Sequence, residues 1–260
     1  MSKVFVTDTY LTDIAEAIRN KNGSESTYTP SQMSEAVNAL PTEAQSVAKH
    51  LRREITEYTE DYFEGVTVIP GIVFRYHTNL ERVAIPNSVT EIGWNAFYGC
   101  DNLERITIPN SVTVIGFSAF ACCSSLESIT VEEGNPNYHS AGNCLIETKN
   151  KTLLVGCQNS VIPDDGSVTS IDDEAFFNCR NLTSIIIPNS VISIGQWALI
   201  IGSDKSTFRF LSTNPPAIQS NTFTASTIDK IIVPDGYGST YKSATNWSAF
   251  ADYIVEESEV

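Results

Sequence analysis

Side chains that could perform catalysis or hold a metal are scattered along this chain. The three histidines, His50, His77 and His139, lie in different segments, and none has a second ligand at the spacing of a metal site. The sequence contains no CxxC, HExxH, GxGxxG or P-loop pattern. We therefore expect that the protein is not an enzyme and that it uses no metal or other cofactor.

Two other patterns come near known sites. Residues 116–120, GFSAF, lack the second glycine that the strained nucleophile turn of a hydrolase requires. The acidic clusters that begin at Glu132, Asp164 and Asp172 lack the alternating ligands of a calcium loop. We interpret the first pattern as a structural turn and the second as solvated loop charge.

The remaining possibility is that the protein binds a ligand, and two sets of side chains suggest this function. Each set recurs on the side of a strand opposite the apolar residues. The first set is Arg82, Arg105, Ser128, Ser184, Thr207 and Lys230, and the second is Ala84, Thr107, Thr130, Ile186, Arg209 and Ile232. Arginine and hydroxyl groups suit carboxylates and sugar hydroxyls. The expected ligand contacts are therefore Arg82, Arg105, Thr107, Ser128, Thr130, Ser184, Arg209 and Lys230. An ordinary solvated sheet face is the alternative.

These positions belong to a sequence repeat. Residues 80–102 and 103–125 are nearly the same 23 residues, LERVAIPNSVTEIGWNAFYGCDN and LERITIPNSVTVIGFSAFACCSS. The leading apolar residue recurs at Leu80, Leu103, Leu126 and Leu182. The last step is 56 residues, which is 33 more than the period. Such a repeat predicts a solenoid whose coils bury their apolar faces on each other, with an insertion at about residues 132–161 in one coil.

The residues of one repeat unit predict a strand, a bend and a compact turn. Alternation over residues 103–108 predicts a strand, which Pro109 ends because proline cannot donate to a ladder. Gly116 allows a bend, and Phe120 and Cys123 then fill the inside of a compact turn.

The cysteines fall into two groups. Cys100, Cys123 and Cys179 recur at one place in the repeat, so we expect reduced thiols that pack in the core. Cys144 and Cys157 flank two short apolar runs in the insertion, residues 144–146 and 152–155, which predict a β-hairpin. These two cysteines could form a bridge in an oxidising compartment or stay reduced. The hairpin itself could be a contact site or a regular excursion of the repeat.

The repeat also carries a family resemblance. Residues 57–255 follow the composite L-x-x-I-x-I-P-x-S-V-T-x-I-G-x-x-A-F-x-x-C, which resembles the BspA-like, or treponemal, class of leucine-rich repeat. The resemblance implies a mainly β, mixed solenoid at residues 57–233, closed by a C-terminal cap at residues 234–260. Departures from the pattern occur at Pro70, Val73, Asp172 and Leu199.

The N-terminal part differs from the repeats. Two apolar stripes at helical spacing predict an αα-hairpin at residues 1–41, too small to be stable alone. Its segments LTDIAEAIRNKNG and YTPSQMSEAV resemble a module on tail and baseplate-associated proteins of phages and prophages of gut Firmicutes. Residues 42–56 predict a connecting helix that lies on the first coil or associates with copies of itself.

Charge and hydropathy restrict the partners. The net charge of −15 argues against nucleic acid, which requires a basic face. The start MSKVFVTDTY has no secretory pattern, and no apolar run approaches the length of a membrane span. We therefore expect assembly in the cytoplasm, unless an export signal was removed.

Three functions fit these observations. The first is a phage or prophage tail protein in the virion, whose hairpin binds other virion proteins or forms an oligomer such as a trimer, and whose solenoid binds a bacterial cell-surface protein or glycan. The second is a BspA-like adhesin on the bacterial surface that binds host proteins or other cells. The third is an intracellular scaffold.

Overall fold

The structure is a computed structural model that describes residues 55–202, 205–224 and 227–260. The predicted hairpin at residues 1–41 and nearly all of the predicted connecting helix lie outside these ranges. The described chain is a β-solenoid of about nine coils with a spacing of about 23 residues, which confirms the predicted fold class.

The secondary structure consists of short strands and a few short helices. The strands are β1 (Glu57–Tyr58), β2 (Val68–Ile69), β3 (Arg82–Val83), β4 (Glu91–Ile92), β5 (Arg105–Ile108), β6 (Val114–Ile115), β7 (Ser128–Val131), β8 (Tyr138–Ala141), β9 (Cys144–Glu147), β10 (Thr152–Val155), β11 (Ser170–Ile171), β12 (Ser184–Ile187), β13 (Ser193–Ile194), β14 (Ser206–Phe210), β15 (Ala217–Ile218), β16 (Ile228–Val233) and β17 (Ile254–Glu256). Helix α1 is Gly238–Ser243, and 3₁₀ helices cover Glu60–Phe63, Ser248–Tyr253 and Glu257–Glu259. Within the described ranges, no helix is long and apolar enough to cross a membrane.

Each regular coil contributes one strand to each of two series. In β5, Ile106 and Ile108 are buried while Arg105 and Thr107 are exposed, as strand alternation requires. The first series, which includes β5, β7, β12, β14 and β16, presents its polar side chains on what we call the strand face. Neighbouring strands are parallel, and β5 pairs with β7 through residues one repeat apart, such as Arg105 with Ser128.

The prediction of one coil with an insertion between Leu126 and Leu182 is wrong, because this stretch forms two coils. Strand β10 pairs in parallel with β11, as one coil pairs with the next. The Gly156 amide donates to the Ala175 carbonyl at 2.8 Å, the same bond that Phe97 makes to Ala119 in the regular turns. Gln158 continues this extra coil, since its amide donates to Leu126 O at 3.0 Å. The step of 56 residues is 10 residues longer than two periods of 23, so it is long enough for two coils and not only for one coil with an insertion.

The predicted hairpin is confirmed, but it is an internal layer of the stack. Strands β8, β9 and β10 are antiparallel neighbours in a six-stranded sheet. In β9, Leu145 packs in the core cluster of the N-terminal coils, while Cys144 and Ile146 pack in that of the C-terminal coils. All three side chains are fully buried. The hairpin therefore separates two cores and holds them together.

The turns after the second series have an unusual backbone. Ile72, Asn95, Ser118, Glu174 and Trp197 occupy the same repeat position, and all have a positive φ between 50° and 60°. Left-handed geometry is rare for a β-branched residue such as Ile72. It persists because each turn is held to the next coil, for example by the bond from Ile72 N to Trp94 O at 3.0 Å.

The C-terminal residues close the solenoid. Trp247 is buried and donates through Nε1 to Pro216 O at 2.9 Å, and the Tyr241 hydroxyl donates to Ser212 O at 2.8 Å. Strand β17 then pairs in parallel with β16, with Ile231 opposite Ile254. This segment thus combines a helical cover with a last strand of the repeat register.

Candidate recognition surface

The structure places the predicted ligand contacts on the strand face. Arg105 lies beside Ser128 and Thr107 beside Thr130 in the register of β5 and β7. Ser184 lies beside Thr207, and Thr207 beside Lys230, along β12, β14 and β16. The two sets of side chains that the sequence suggested are therefore real ladders within each group of strands.

The strand face is not continuous, whereas the sequence suggested two ladders that cross the whole stack. The paired strands β5 and β7 end at the extra coil, and β12 begins a separate sheet. Between them the polar residue Gln158 bridges the coils, with its Nε2 donating to Ser124 O at 2.5 Å and its Oε1 accepting from Asn181 at 2.6 Å. The expected contacts consequently divide into an N-terminal and a C-terminal group.

The N-terminal group is mostly exposed to solvent. Arg82, Arg105, Thr107 and Thr130 are exposed and Ser128 is half-buried. In the C-terminal group Ser184 is exposed, Lys230 is half-buried, and Ile232 of the second set is only 3% exposed. Arg209 forms an ion pair with Glu257, so its guanidinium already has a carboxylate partner.

Carboxylates flank the arginines of the strand face. Glu57 lies opposite Arg82 in the register of β1 and β3. Glu81, Glu104 and Glu127 form a neighbouring ladder, with Glu104 N donating to Glu81 O and Glu127 N to Glu104 O. The Arg105 guanidinium is 4.0 Å from the Glu104 carboxylate. Alternating charge of this kind suits a partner that carries both positive and negative groups, or one that carries many hydroxyl groups.

His77, His139 and Ser118 of the GFSAF segment each have a different hydrogen-bond partner, and His50 lies outside the described residues. His77 is buried, with Nε2 3.3 Å from the Tyr58 hydroxyl, and His139 has Nδ1 2.8 Å from Thr148 Oγ1. The Ser118 hydroxyl donates to Glu174 Oε2 at 2.8 Å and so links two coils. Among the described residues, no group of three or more histidine, cysteine or acidic side chains is arranged to hold a metal ion.

All six cysteines are free thiols in the structure. Cys100 and Cys123 donate from Sγ to carbonyls of the preceding coil, Phe74 O at 3.1 Å and Phe97 O at 3.2 Å. Burial raises the pKa of Cys144 to about 12 and also raises the pKa of Cys179. Cys144 and Cys157 both lie near the Ser160 hydroxyl as thiols.

Sequence reasoning missed an aromatic surface on the outside of the turns. Tyr76, Trp94 and Phe117 are exposed there, together with Ile72. Beside them, the Arg75 guanidinium lies 4.9 Å from the centre of the Tyr76 ring and 5.2 Å from that of Tyr98. The sequence signal was available, because Trp94 and Phe117 both lie two residues before the buried Ala-Phe pair of their repeats. The sequence pattern led us to predict only the inward residues of this turn, such as Phe120 and Cys123.

The fold defines a parallel leucine-rich repeat solenoid with an open strand face. Its sequence matches the BspA type Leucine rich repeat region over residues 61–165 and 154–253, in six copies. The chain therefore belongs to the BspA-type leucine-rich repeat family. No curated protein is a significant match to this chain.

Solved structures show related solenoids. A leucine rich cell surface protein from Faecalibacterium prausnitzii A2-165 is 28% identical, with a TM-score of 0.58, over 72% of this chain and 56% of that chain. A leucine-rich repeat protein from Eubacterium ventriosum ATCC 27560 is 20% identical, with a TM-score of 0.39, over 77% of this chain and 70% of that one. The pneumococcal vaccine antigen PcpA is 15% identical, with a TM-score of 0.33, over 73% and 65% of the two chains. The chain spans just over half the length of the Faecalibacterium protein.

Proposed function

We propose that this chain is a non-enzymatic recognition protein that binds its partner through the N-terminal part of the strand face. The observation that carries the proposal is the exposed array of Arg82, Arg105, Thr107 and Thr130 on three successive coils. Strands β5 and β7 are paired in parallel, and Glu104 N donates to Glu81 O of the coil that carries Arg82. The backbone ladder keeps these donors at a regular spacing, so little conformational freedom is lost on binding. Carboxylates or sugar hydroxyls of a bacterial surface protein or glycan fit such donors.

The finer assignment is a tail-associated protein of a phage or prophage. The resemblance of residues 1–41 to a module of such proteins supports it. In this function the N-terminal module binds other virion proteins or forms an oligomer, and the solenoid faces the bacterial host. The protein is then assembled in the cytoplasm and resides in the virion tail, without nucleic acid binding or membrane insertion.

The strand face is tested by removing its two exposed arginines. The Arg82→Ala/Arg105→Ala variant should bind cells of gut Firmicutes about tenfold more weakly, because hydrogen bonds to charged groups are the strong ones at a polar interface. Flow cytometry with fluorescently labelled protein measures this binding. A matched control is Lys149→Ala/Lys242→Ala, which removes two exposed positive charges away from the strand face. Equal binding by the arginine variant with an intact fold would contradict the proposal.

The N-terminal module is tested separately by light scattering. The full chain should form a defined oligomer, for which we expect a trimer, and a variant that starts at Thr42 should be a monomer. If both proteins have the mass of a monomer, the module does not oligomerise the chain.

A second function, a bacterial surface adhesin for host proteins or other cells, is favoured by one specific observation. The Faecalibacterium relative at 28% identity is described as a cell surface protein. Antibody labelling of intact producing cells and of purified phage particles distinguishes the two. Labelling of the cells alone supports the adhesin, whereas labelling of the particles supports the tail protein.

A further inference from the structure

Four apolar side chains form an exposed surface on the outside of three successive coils. We call it the aromatic edge, and it consists of Ile72, Tyr76, Trp94 and Phe117, which are 48%, 46%, 55% and 53% exposed. Backbone hydrogen bonds from Ile72 N to Trp94 O and from Asn95 N to Phe117 O show that these coils are direct neighbours here. Adjacent strands in such a stack are about 4.8 Å apart, so the aromatic edge is a closely spaced array.

Glycines hold two of these rings in place. A Cβ atom on Gly71 would lie 2.6 Å from Nε1 of Trp94, so the indole rests directly on the backbone of the preceding coil. A Cβ atom on Gly99 would lie 2.6 Å from Cδ1 of Tyr76, so the Tyr76 ring rests on the following coil. Each ring is supported on one side and remains about half exposed. Rings held in this way lose little freedom when a ligand packs on them.

One residue of the aromatic edge combines exposure with a strained backbone. Ile72 is left-handed with a φ of 60° and half exposed, whereas the equivalent positions in the next two coils are Asn95 and Ser118. An isoleucine there adds backbone strain without burial, and such strain points to a function. In the coil after the hairpin, the positions that match Trp94 and Asn95 are Asp173 and Glu174, so the apolar character ends there.

Charge and hydrogen bonding restrict the partner. A net charge of −15 repels anionic polymers. A peptide strand would need free backbone groups, but Ile72 N and Asn95 N already donate to the next coil. An uncharged sugar is not repelled by the negative charge and needs no free backbone groups. The C–H face of a pyranose packs on an aromatic ring, and its hydroxyls bond to polar groups at the ring edge.

From these observations, we propose that the aromatic edge binds a neutral polysaccharide, with pyranose rings packed on Trp94 and Phe117. This site is separate from the strand face and does not depend on it. Tyr76 supplies a hydroxyl beside the rings, where Arg75 already contacts it at 3.3 Å.

Affinity electrophoresis in native gels tests the proposal with the full chain. The gels contain laminarin, hydroxyethyl cellulose, galactomannan or dextran. At least one of these neutral polysaccharides should retard the protein, and Trp94→Ala/Phe117→Ala should raise the dissociation constant about tenfold or more, as loss of aromatic anchors does. Trp197→Ala is the matched control, since Trp197 is also an exposed tryptophan in a left-handed turn. Gly71→Ser should weaken binding as well, because it displaces the Trp94 ring without removing it.

Tryptophan fluorescence provides a second measurement. The chain has three tryptophans, of which Trp247 is buried. Bound polysaccharide should shift the emission to the blue in Trp197→Phe but not in Trp94→Phe. Absence of retardation by all four polysaccharides, or equal retardation of the double variant, would overturn the proposal. The proposal would also be overturned if the unchanged chain forms a concentration-dependent dimer that the Trp94→Ala/Phe117→Ala variant does not form. The partner of the aromatic edge would then be a second copy of the chain.

The strand face serves as an internal comparison. Arg82→Ala/Arg105→Ala should keep its retardation by polysaccharide. If that variant loses cell binding but keeps polysaccharide binding, the two sites are independent. If it loses polysaccharide binding with an intact fold, the sugar binds at the strand face and the aromatic edge is not the site.

Discussion

At the scale of single residues, the turns decide which side chains are compatible with the repeat. Two positions in a regular turn require left-handed backbone, as at Ile72 and Tyr76 in one coil and Asn95 and Gly99 in the next. Asparagine and glycine adopt this geometry readily, while a β-branched residue is strained in it. At these positions a β-branched residue such as Ile72 lowers the stability of the fold, but it adds an apolar side chain to the surface of the turn.

Ile72→Asn should stabilise the protein by about 0.5–1 kcal/mol, because it relieves left-handed strain at an exposed position. Chemical denaturation in urea measures the free energy of unfolding. The control is Ile192→Asn, at an exposed position outside the left-handed set, which should change this energy little. An equal effect of both substitutions would show that hydropathy and not backbone strain is responsible.

The thiols should be protected in the folded protein. Burial raises the pKa of Cys144 to about 12 and raises that of Cys123 well above its usual value, so few thiolates exist at pH 8. Cys122, which is half-buried, should be alkylated first by iodoacetamide, although burial raises its pKa too. Mass spectrometry after timed labelling gives the order. Early labelling of Cys144 or Cys179 in native protein would contradict this expectation.

At the scale of elements, the hairpin is the element that joins the two halves of the solenoid. Leu145 and Ile146 are adjacent in β9 yet point into different core clusters. A hairpin on the surface would leave one of these faces in water. Loss of the packing of this hairpin should therefore destabilise both halves of the solenoid.

Leu145→Ala should lower the free energy of unfolding by about 2–5 kcal/mol, as expected when a fully buried leucine leaves a cavity. Thr148→Ala, in the exposed turn of the same hairpin, should change it by less than about 0.5 kcal/mol. Urea unfolding measures both. A loss below about 1 kcal/mol for Leu145→Ala would mean that the hairpin is not part of the cooperative core.

Gly156 is a second test of the extra coil. A Cβ atom there would lie 2.0 Å from Cε1 of the buried Phe176 ring, so Gly156→Ala should destabilise the fold by about 1–3 kcal/mol. Gly202→Ala is the control, since its Cβ would meet only the Arg180 and Asn178 residues at 3.0 Å or more. Equal thermal midpoints for the two variants would refute close packing of Gly156 on Phe176.

At the scale of the whole molecule, each coil buries its neighbour, so the last coil needs a cover. Tyr241, Trp247, Phe250 and Ile254 are buried and provide it. Terminal repeats of a solenoid require such a cap to stay soluble.

A chain that ends at Val233 should therefore expose a large apolar surface and aggregate. Light scattering of this variant beside the full chain measures the effect. Tyr237→Ala is the control, since it alters an exposed residue of the same segment and should leave the mass unchanged. A truncated protein that stays monodisperse would mean that the cap is dispensable for solubility.

The sequence by itself determined the solenoid, the family and the direction of each side chain along a regular strand. The 23-residue period and strand alternation are local properties, so they gave Ile106 to the core and Arg105 to the strand face without any knowledge of the tertiary structure. The same reasoning predicted buried cysteines at Cys100, Cys123 and Cys179, which the structure confirms.

Only the tertiary structure decided how the coils stack around the hairpin and which surfaces remain open. The extra coil at Gly156, the ion pair of Arg209 with Glu257 and the exposure of Trp94 depend on contacts between residues far apart in the chain. A repeat pattern assigns each residue to inside or outside within its own coil. It does not say what the neighbouring coil places against that residue, and this neighbour decides whether a side chain is covered, paired or available to a partner.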